Sequence, residues 1–573
     1  MSMEGIDDEG LQWIYVAPRH KLVEENLNNF DLSGLPFAIK RKKVRQFNFV
    51  HLKGREKLCL RAEVKAAMNI YDDAQESWCE NCEHRSHNTC PYYKMWTEIE
   101  KNKPRIACMH AHFHTRLFQD FLPVNASYYN VVIIDENPFT SLFDESSANV
   151  HLLSDACSFV NQMQDLSDLK AILQNVLSNY MEEESKIDYE FLSSYLCSDF
   201  IKLNNGFKEQ LLNFPHPTKE MVGSAKFVRV FLNTLSLYVG DEDKLKRAMY
   251  ISDYYNKKTL NVLSFKGAIN IPRGVNVIGL DATSTKEMWE FAVKRPVQEL
   301  VIDYPLKNVV MLNGGKLSQG SWMSYNSKVQ GHYNKISGTG KAHVEELIRI
   351  VDQSKTNVTV CCSKRIQAMV RAYINDLGRE DALKRMKFAV YYALRGSNEF
   401  NDCDTIVLLH VPRRPPDSLK SHALLSGTTE EMWERMDREC EMRQAIGRVR
   451  PAIDTNSKGE PRDIHIYVFP NSECGIFTPA ERTQMLLSQT LTEVPLRYLP
   501  RYLEGEVPNL MSLIPKIGNK GIATSKLALM CYGGRQFSDQ LYRERKDSTT
   551  GILAEYKLLG IIEQDKQHKW VRI

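Results

Sequence analysis

The sequence predicts an α/β protein with two parallel-sheet domains, one carrying inserted modules and the chain ending in a small appended one. Two stretches, from Ile14 to about Phe143 and from about Asn308 to Pro500, alternate strand-like and helix-like segments. Between them, residues 151–265 read as mostly helical. The first stretch opens on the apolar strand Trp13–Val16, followed by Ala17-Pro18-Arg19-His20-Lys21 and a polar helix. It closes on Val131-Val132-Ile133-Ile134, which stops at Asp135-Glu136-Asn137-Pro138. A short, continuously apolar run ending at acidic residues and a proline is the pattern of a strand buried on both faces of a parallel sheet. The helical region follows from Leu166, Leu169, Ile172, Leu173, Val176, Leu177 and Tyr180, which recur at three- and four-residue spacing. The second stretch holds the strand Asn357–Cys362, a helix after Ser363, and the strand Thr405–His410, stopped by Pro412. At the end, Ile552–Leu559 reads as a helix. Gly560 and two strand-like pieces, Ile561-Ile562 and Lys569–Ile573, follow it and suggest a winged helix.

With 573 residues, 43% hydrophobic and 25% charged, the chain has the composition of a multidomain globular protein and excludes a disordered or fibrous one. No apolar run approaches the roughly 20 residues that span a bilayer, and the acidic N-terminus lacks a signal-peptide core, so no membrane role is expected. A net charge of +3 is too small to argue for a polyanionic partner by itself. Thirteen cysteines in a long chain without a leader point to the reducing cytoplasm, the nucleoid or nucleus included, and to a local metal site rather than a disulfide scaffold.

Two segments carry chemistry. An aspartate ending a buried strand, here Asp135, suits Mg²⁺, and the adjacent Glu136 suits polarising an attacking water, although Asp-Glu ends also occur in unrelated folds. The segment Arg443-Gln444-Ala445-Ile446-Gly447-Arg448-Val449-Arg450-Pro451 gathers a glutamine, a glycine and arginines whose planar forks suit phosphate oxygens. Its bland alternative is a solvated basic helix.

Together these segments resemble the motifs of superfamily 2 helicases. Asp135-Glu136 resembles motif II and Gln444–Arg450 motif VI. Between and before them, in the family's order, Tyr15–His20 resembles motif Ia and Leu280-Asp281-Ala282-Thr283-Ser284 motif III. Cys361–Lys364 stands where motif IV falls, and Leu394–Phe400 resembles motif V. The segment Gly54-Arg55-Glu56-Lys57-Leu58-Cys59, with Cys79, Cys82 and Cys90 downstream, resembles the iron–sulfur region of XPD/DinG-type enzymes. The resemblance covers about residues 11–460.

It implies two RecA-like motor domains. The first comprises residues 1–58, 91–150 and 266–305. It is interrupted by a cysteine-rich insertion (59–90) and a helical arch-like insertion (151–265). The second motor domain is 306–500 and the winged helix 505–573. It also implies an ATP- and Mg²⁺-dependent translocase on single-stranded or forked DNA, with 5′→3′ polarity. In this family Asp135 would bind Mg²⁺, Glu136 would activate water, and Gln444, Gly447, Arg448 and Arg450 would serve the nucleotide. Arg19 and Gly396, Ser397 and Asn398 would meet nucleic acid. Cys59, Cys79, Cys82 and Cys90 would ligate an iron–sulfur cluster, 4Fe-4S in type. Zinc on Cys79, Cys82, His87 and Cys90 is the competing reading. Cys108-Met109-His110-Ala111-His112-Phe113-His114 would place alternating histidines on a strand and is read as structural. The basic run Lys40–Arg45 fits phosphate binding or a solvated strand equally well.

Departures bear on the expectation. Pro451 occupies the place of the family's second arginine, with Arg450 one residue early, and motif II reads Asp-Glu-Asn-Pro. No Gly-x-x-x-x-Gly-Lys-Ser/Thr phosphate loop precedes Tyr15, and Gly338-Thr339-Gly340-Lys341-Ala342 has an alanine where the Mg²⁺ hydroxyl belongs and reads as a glycine-rich loop. The chain therefore reads as a helicase beginning after its phosphate loop, whether truncated, split or degenerate. The alternative is a non-hydrolysing relic that binds nucleic acid or a partner. A nuclease has little support, since no compact carboxylate cluster accompanies Asp135-Glu136.

Overall fold

The computed structural model describes residues 12–18, 23, 49–71, 77–80, 82–182, 184–214, 217–254, 257–281, 283–300, 306–313, 319–324, 335–393, 399–449, 451, 455, 461–470, 475–495, 523, 526, 562–564, 567 and 569–572. It falls into two units: residues 1–299 with 415–433, and residues 300–414 with 434–573. Arg19, the Lys40–Arg45 run, Ala282, Gly396, Ser397, Asn398, Arg450 and nearly all of the expected winged helix lie outside the described residues.

The core of the first unit is a parallel sheet of β1 (Trp13–Ala17), β2 (Phe49–His51), β3 (Arg105–Met109), β4 (Val131–Asp135) and β8 (Asn276–Leu280), in the order β2-β3-β1-β4-β8. Strands β1 and β4 are buried almost throughout, as expected of strands covered on both faces. Because side chains alternate along a strand, Trp13, Tyr15 and Ala17 share one face and pack with Val131, Ile133 and Ala107. Strand β8 is an edge among the described residues, and the helix α7 (Lys286–Val293) lays Trp289 on Gly279, where a Cβ would stand 2.8 Å from the indole.

The expected helical insertion is helical only through Ala248. Helices Val150–Asn161, Ser167–Met181, Cys197–Gln210, Lys219–Tyr238 and Glu242–Ala248 lead into β6 (Met249–Tyr254) and β7 (Lys257–Phe265), which pair antiparallel with each other and with β5 (Phe143–Ala148). Alternation explains the difference: Leu260, Val262 and Ser264 are buried on one face of β7, a period of two that a search for helical spacing passes over.

The second unit is built on a parallel sheet of β9 (Val309–Asn313), β12 (Asn357–Cys362), β13 (Met386–Val390), β14 (Cys403–Leu408), β15 (His465–Val468) and β16 (Leu491–Pro495), ordered β13-β12-β14-β15-β9-β16. The expected strands at 357–362 and 405–410 are β12 and β14. The helix expected after Ser363 is α9 (Lys364–Asp376), whose first turn Ser363 caps by accepting from the Ile366 N–H. The small ladder β10 (Met323–Ser324) with β11 (Lys335–Ile336) leads into α8 (Gly338–Gln353).

Gly338–Lys341 is thus the first turn of α8 rather than a loop. The Ser337 hydroxyl accepts from the Gly340 N–H at 2.9 Å, and a Cβ on Gly340 would lie 2.6 Å from Ile336 and 2.9 Å from the Trp322 carbonyl. Close packing accounts for this glycine without any phosphate. Gly340→Ala is therefore expected to destabilise the second unit by about 1–3 kcal/mol, the usual cost of overpacking. The check is its calorimetric transition, with nucleotide affinity expected to stay unchanged.

Past β14 the chain crosses at Arg414 into the first unit and returns at Glu434, a crossing absent from the domain boundaries expected from sequence. There α10 (Pro416–Ser426) gives its His422 to Glu145 of β5 at 2.7 Å, and Trp433 of α11 (Glu430–Arg435) packs against Phe139, Phe143 and His422. At the C-terminus, Ile562–Gln564 and Trp570–Arg572 form an antiparallel hairpin, in agreement with the expected terminal strands.

Candidate nucleotide and nucleic-acid site

The carboxyl ends of parallel strands are where open α/β sheets present their chemistry, and in the first unit those of β4 and β8 bear the polar residues. Asp135 ends β4, and the Tyr15 hydroxyl of neighbouring β1 donates to its Oδ2 at 2.6 Å. The backbone carbonyl of Asp135 meets His110 Nε2 at 2.9 Å. Glu136 follows at φ 59°, a left-handed conformation uncommon for a residue with a Cβ. Its N–H donates to the Leu280 carbonyl at 2.9 Å, which fixes the turn across to β8. Asn137 is buried and accepts from the Phe139 N–H at 2.7 Å, which closes this turn. Just beyond β8, Asp281 accepts from the Thr283 N–H and hydroxyl, each at 2.7 Å, and from the Ser284 hydroxyl. Asp135, Glu136, Asp281, Thr283 and Ser284 therefore gather at one end of one sheet.

Sequence reasoning placed Tyr15 only within the motif Ia resemblance and read His110 as structural, and linked neither to Asp135. A phenol in a buried strand gives no local sign of the carboxylate it meets, nor a histidine beyond the neighbouring strand of the backbone carbonyl it meets. The histidine-rich segment is also not a strand: β3 stops at Met109, and His110–His114 form a 3₁₀ turn. His112 turns back onto its own Met109 backbone, and burial, then nearby Lys266, holds His114 down to about 4. These interactions are structural.

In the second unit the expected motif VI segment lies on α12 (Glu441–Gly447), which continues α11 through the π-helical turn Met436–Cys440. Met442, Ala445 and Ile446 face the core, while Gln444, Gly447 and Arg448 are half-exposed. Arg448 lies close enough to Cys361, near the end of β12, to oppose the upward effect of burial on that thiol. Arg443 instead binds the Ile476 carbonyl at 2.9 Å and Glu481 at 2.6 Å, and Arg438 binds Glu434 at 2.9 Å. Both flanking arginines are thus held by bonds within the fold.

Beside this helix, His410 accepts the Ser363 N–H at Nε2 and donates from Nδ1 to the Val411 carbonyl, each at 2.9 Å. The bond accepted at Nε2 needs the neutral ring, and burial pushes its pKa down to about 4. A pKa held below the ordinary value near 6.5 contributes stability that is complete above pH 6.5 and is lost as pH falls through about 4. Acidification from pH 6.5 to 4 is expected to remove on the order of 3 kcal/mol through this residue. Thermal midpoints against pH, shallower in His410→Gln than in the natural chain, would check it.

Cys59, Cys79, Cys82 and Cys90 are all buried thiols without disulfides. Burial raises the Cys59 pKa, and Cys79, Cys90 and Cys82 stand close enough to raise it further. The Arg55 guanidinium donates to Cys79 Sγ at 3.5 Å, and Arg61 bonds to Cys82. Two cations directed at sulfur suit thiolates carrying net negative charge, as a cluster or zinc would require. His87 is exposed. Among the described residues no three Cys, His, Asp or Glu side chains close around a single point.

No family model matches the chain, and no curated protein matches it. Solved structures give distant matches. S. cerevisiae Dbp5 bound to RNA and ADP BeF3 is 8% identical over 87% of this chain and 80% of its own, with a TM-score of 0.30. Mycobacterium smegmatis helicase Lhr bound to ssDNA and AMP-PNP is 9% identical over 98% of this chain and 53% of its own, also with a TM-score of 0.30. The DEAD-box helicase Mss116 bound to ssRNA and UDP-BeF is 10% identical over 88% of this chain and 71% of its own, with a TM-score of 0.26. Likeness this low carries no functional argument. The two parallel α/β sheets rest on their own strand order.

Proposed function

We propose that this chain is a helicase-type protein of the XPD/DinG kind, acting on single-stranded DNA with 5′→3′ polarity. The observation that carries the reading is the placement of Asp135-Glu136 at the carboxyl end of β4, inside a parallel sheet. Supporting it, the second parallel sheet has a helix ending in Gln444, Gly447 and Arg448 beside the ends of its strands. In this reading Asp135 holds Mg²⁺, oriented by Tyr15, and Glu136 orients water. Gln444, Arg448 and Arg450 attend the nucleotide phosphates. Arg19 and Gly396–Asn398 meet the strand.

Cys59, Cys79, Cys82 and Cys90 would hold a 4Fe-4S cluster, which supplies a rigid thiolate-bound core to the insertion. The uniform burial of the four thiols favours this over a zinc site that would need exposed His87.

Titration of residues 1–573 with labelled oligothymidylate tests the reading. Binding should weaken steeply with salt, as phosphate contacts release counterions. Failure to bind at low salt would refute it. A second reading, a binding protein that does not turn over ATP, is favoured by one feature: no phosphate-loop sequence occurs in the chain.

A further inference from the structure

His422 of α10 is 1% exposed and anchors the segment that returns to the first unit. Its two ring nitrogens meet two acceptors. Nδ1 stands 2.7 Å from the Ser418 backbone carbonyl, one turn back on the same helix, with the Ser418 hydroxyl farther off at 3.3 Å. A carbonyl can only accept, so Nδ1 carries a hydrogen. Nε2 stands 2.7 Å from Glu145 Oε1 of β5. With Nδ1 protonated, a neutral ring offers Glu145 only a lone pair, and two lone pairs do not approach to that distance. A proton therefore lies between them. Placed on the ring it makes an imidazolium, which the rings of Trp433 at 4.6 Å and Phe143 at 4.8 Å favour over the neutral form. The Glu145 side chain is 51% exposed, so the proton can exchange with water while His422 stays buried.

Other charged groups on the elements packed against α10 have their own settings. Asp144, on the opposite face of β5, pairs with Lys266 at 2.9 Å. Lys258 of β7 donates to the Ser185 hydroxyl at 2.8 Å. The charged side chains of helix Glu242–Ala248 are exposed, as are Lys420 of α10, Asp253 of β6, and Glu430 and Glu431 of α11. Asp417 lies near Tyr250 of β6, whose hydroxyl bonds to Ser418 and Ser421. Burial pushes the Tyr250 phenol up to about 12, so this second anchor keeps its proton at neutral pH.

We propose that Glu145 and His422 form a proton-bridged clasp, which seats residues 415–433 in the first unit and loosens as pH rises. Apart from each other, above about pH 6.5, a histidine is neutral and a glutamate ionised. Seated, the pair holds one proton more. Stability that depends on a bound proton is complete below that pH and is lost above it, by up to about tenfold per pH unit. Once the proton leaves, a buried Nε2 lone pair faces a carboxylate, and the segment is left to its aromatic packing and the Tyr250 anchor.

Hydrogen exchange of the full chain from about pH 6 to pH 9, corrected for the intrinsic pH dependence of exchange, tests the clasp at the Ala423–Ser426 amides. Their protection relative to the Ile133 amide of β4 should fall by up to about tenfold for each pH unit. Glu145→Gln supplies an amide that donates to a neutral Nε2, so its protection should become independent of pH. Asp417→Asn, beside the clasp but outside the bridge, should keep the natural slope. Protection that does not change with pH in the natural chain overturns the clasp. So does an unaltered slope in Glu145→Gln, or a slope abolished by Asp417→Asn. If Glu145→Gln does not fold, the natural chain and Asp417→Asn still decide.

Discussion

Anaerobically purified residues 1–573 are expected to be brown and to contain iron and sulfide in comparable amounts. The expectation rests on four buried thiols with guanidinium groups directed at two of them, equal in number to the thiolates that hold such a cluster. Cys59→Ser should abolish the colour and the iron, because Cys59 is the ligand a cluster needs and a Cys79, Cys82, His87, Cys90 zinc site does not. Metal analysis decides the matter. Colourless protein with one zinc, unchanged in Cys59→Ser and lost in His87→Ala, would establish the zinc site.

ATP turnover by the same chain should lie near background with or without single-stranded DNA. In the proposed reading Glu136 and Arg448 would act only on a γ-phosphate that is already held, and no Gly-x-x-x-x-Gly-Lys-Ser/Thr sequence to hold it occurs in the chain. Losing both positioning and charge neutralisation costs several kcal/mol, or roughly a thousandfold or more in rate. Glu136→Gln should then change nothing measurable. Robust DNA-stimulated phosphate release that Glu136→Gln abolishes would instead reveal a phosphate-binding element elsewhere in residues 1–573.

The parts of this molecule that could be read in the sequence are those with a local signature. Strands β1, β4, β12 and β14 announce themselves as short apolar runs because parallel strands are covered on both faces. Asp135-Glu136 and Gln444–Arg448 are legible because each is contiguous. The contacts that give these residues their setting are not local. Tyr15 reaches Asp135 across a strand pairing of separation 120, and Glu441 meets Tyr392 across 49 residues. Neither leaves a periodic trace. The hairpin β6–β7 was hidden because its alternation follows directly on strongly helical spacing. The return at 415–433 was hidden because its anchors, His422 and Trp433, look like ordinary residues of an amphipathic helix.

That return has a consequence for how the protein is made. Ribosomes release a chain from its N-terminus, and domains generally fold as units as they emerge. The first unit cannot finish on that schedule. Trp433 and His422, both almost wholly buried against Phe139 and Phe143, arrive only after most of the second unit's sheet has been synthesised. Until then the nascent first unit exposes the aromatic surface they will cover, a hazard normally met by chaperones. Expression of residues 1–299 alone would make that unfinished state permanent.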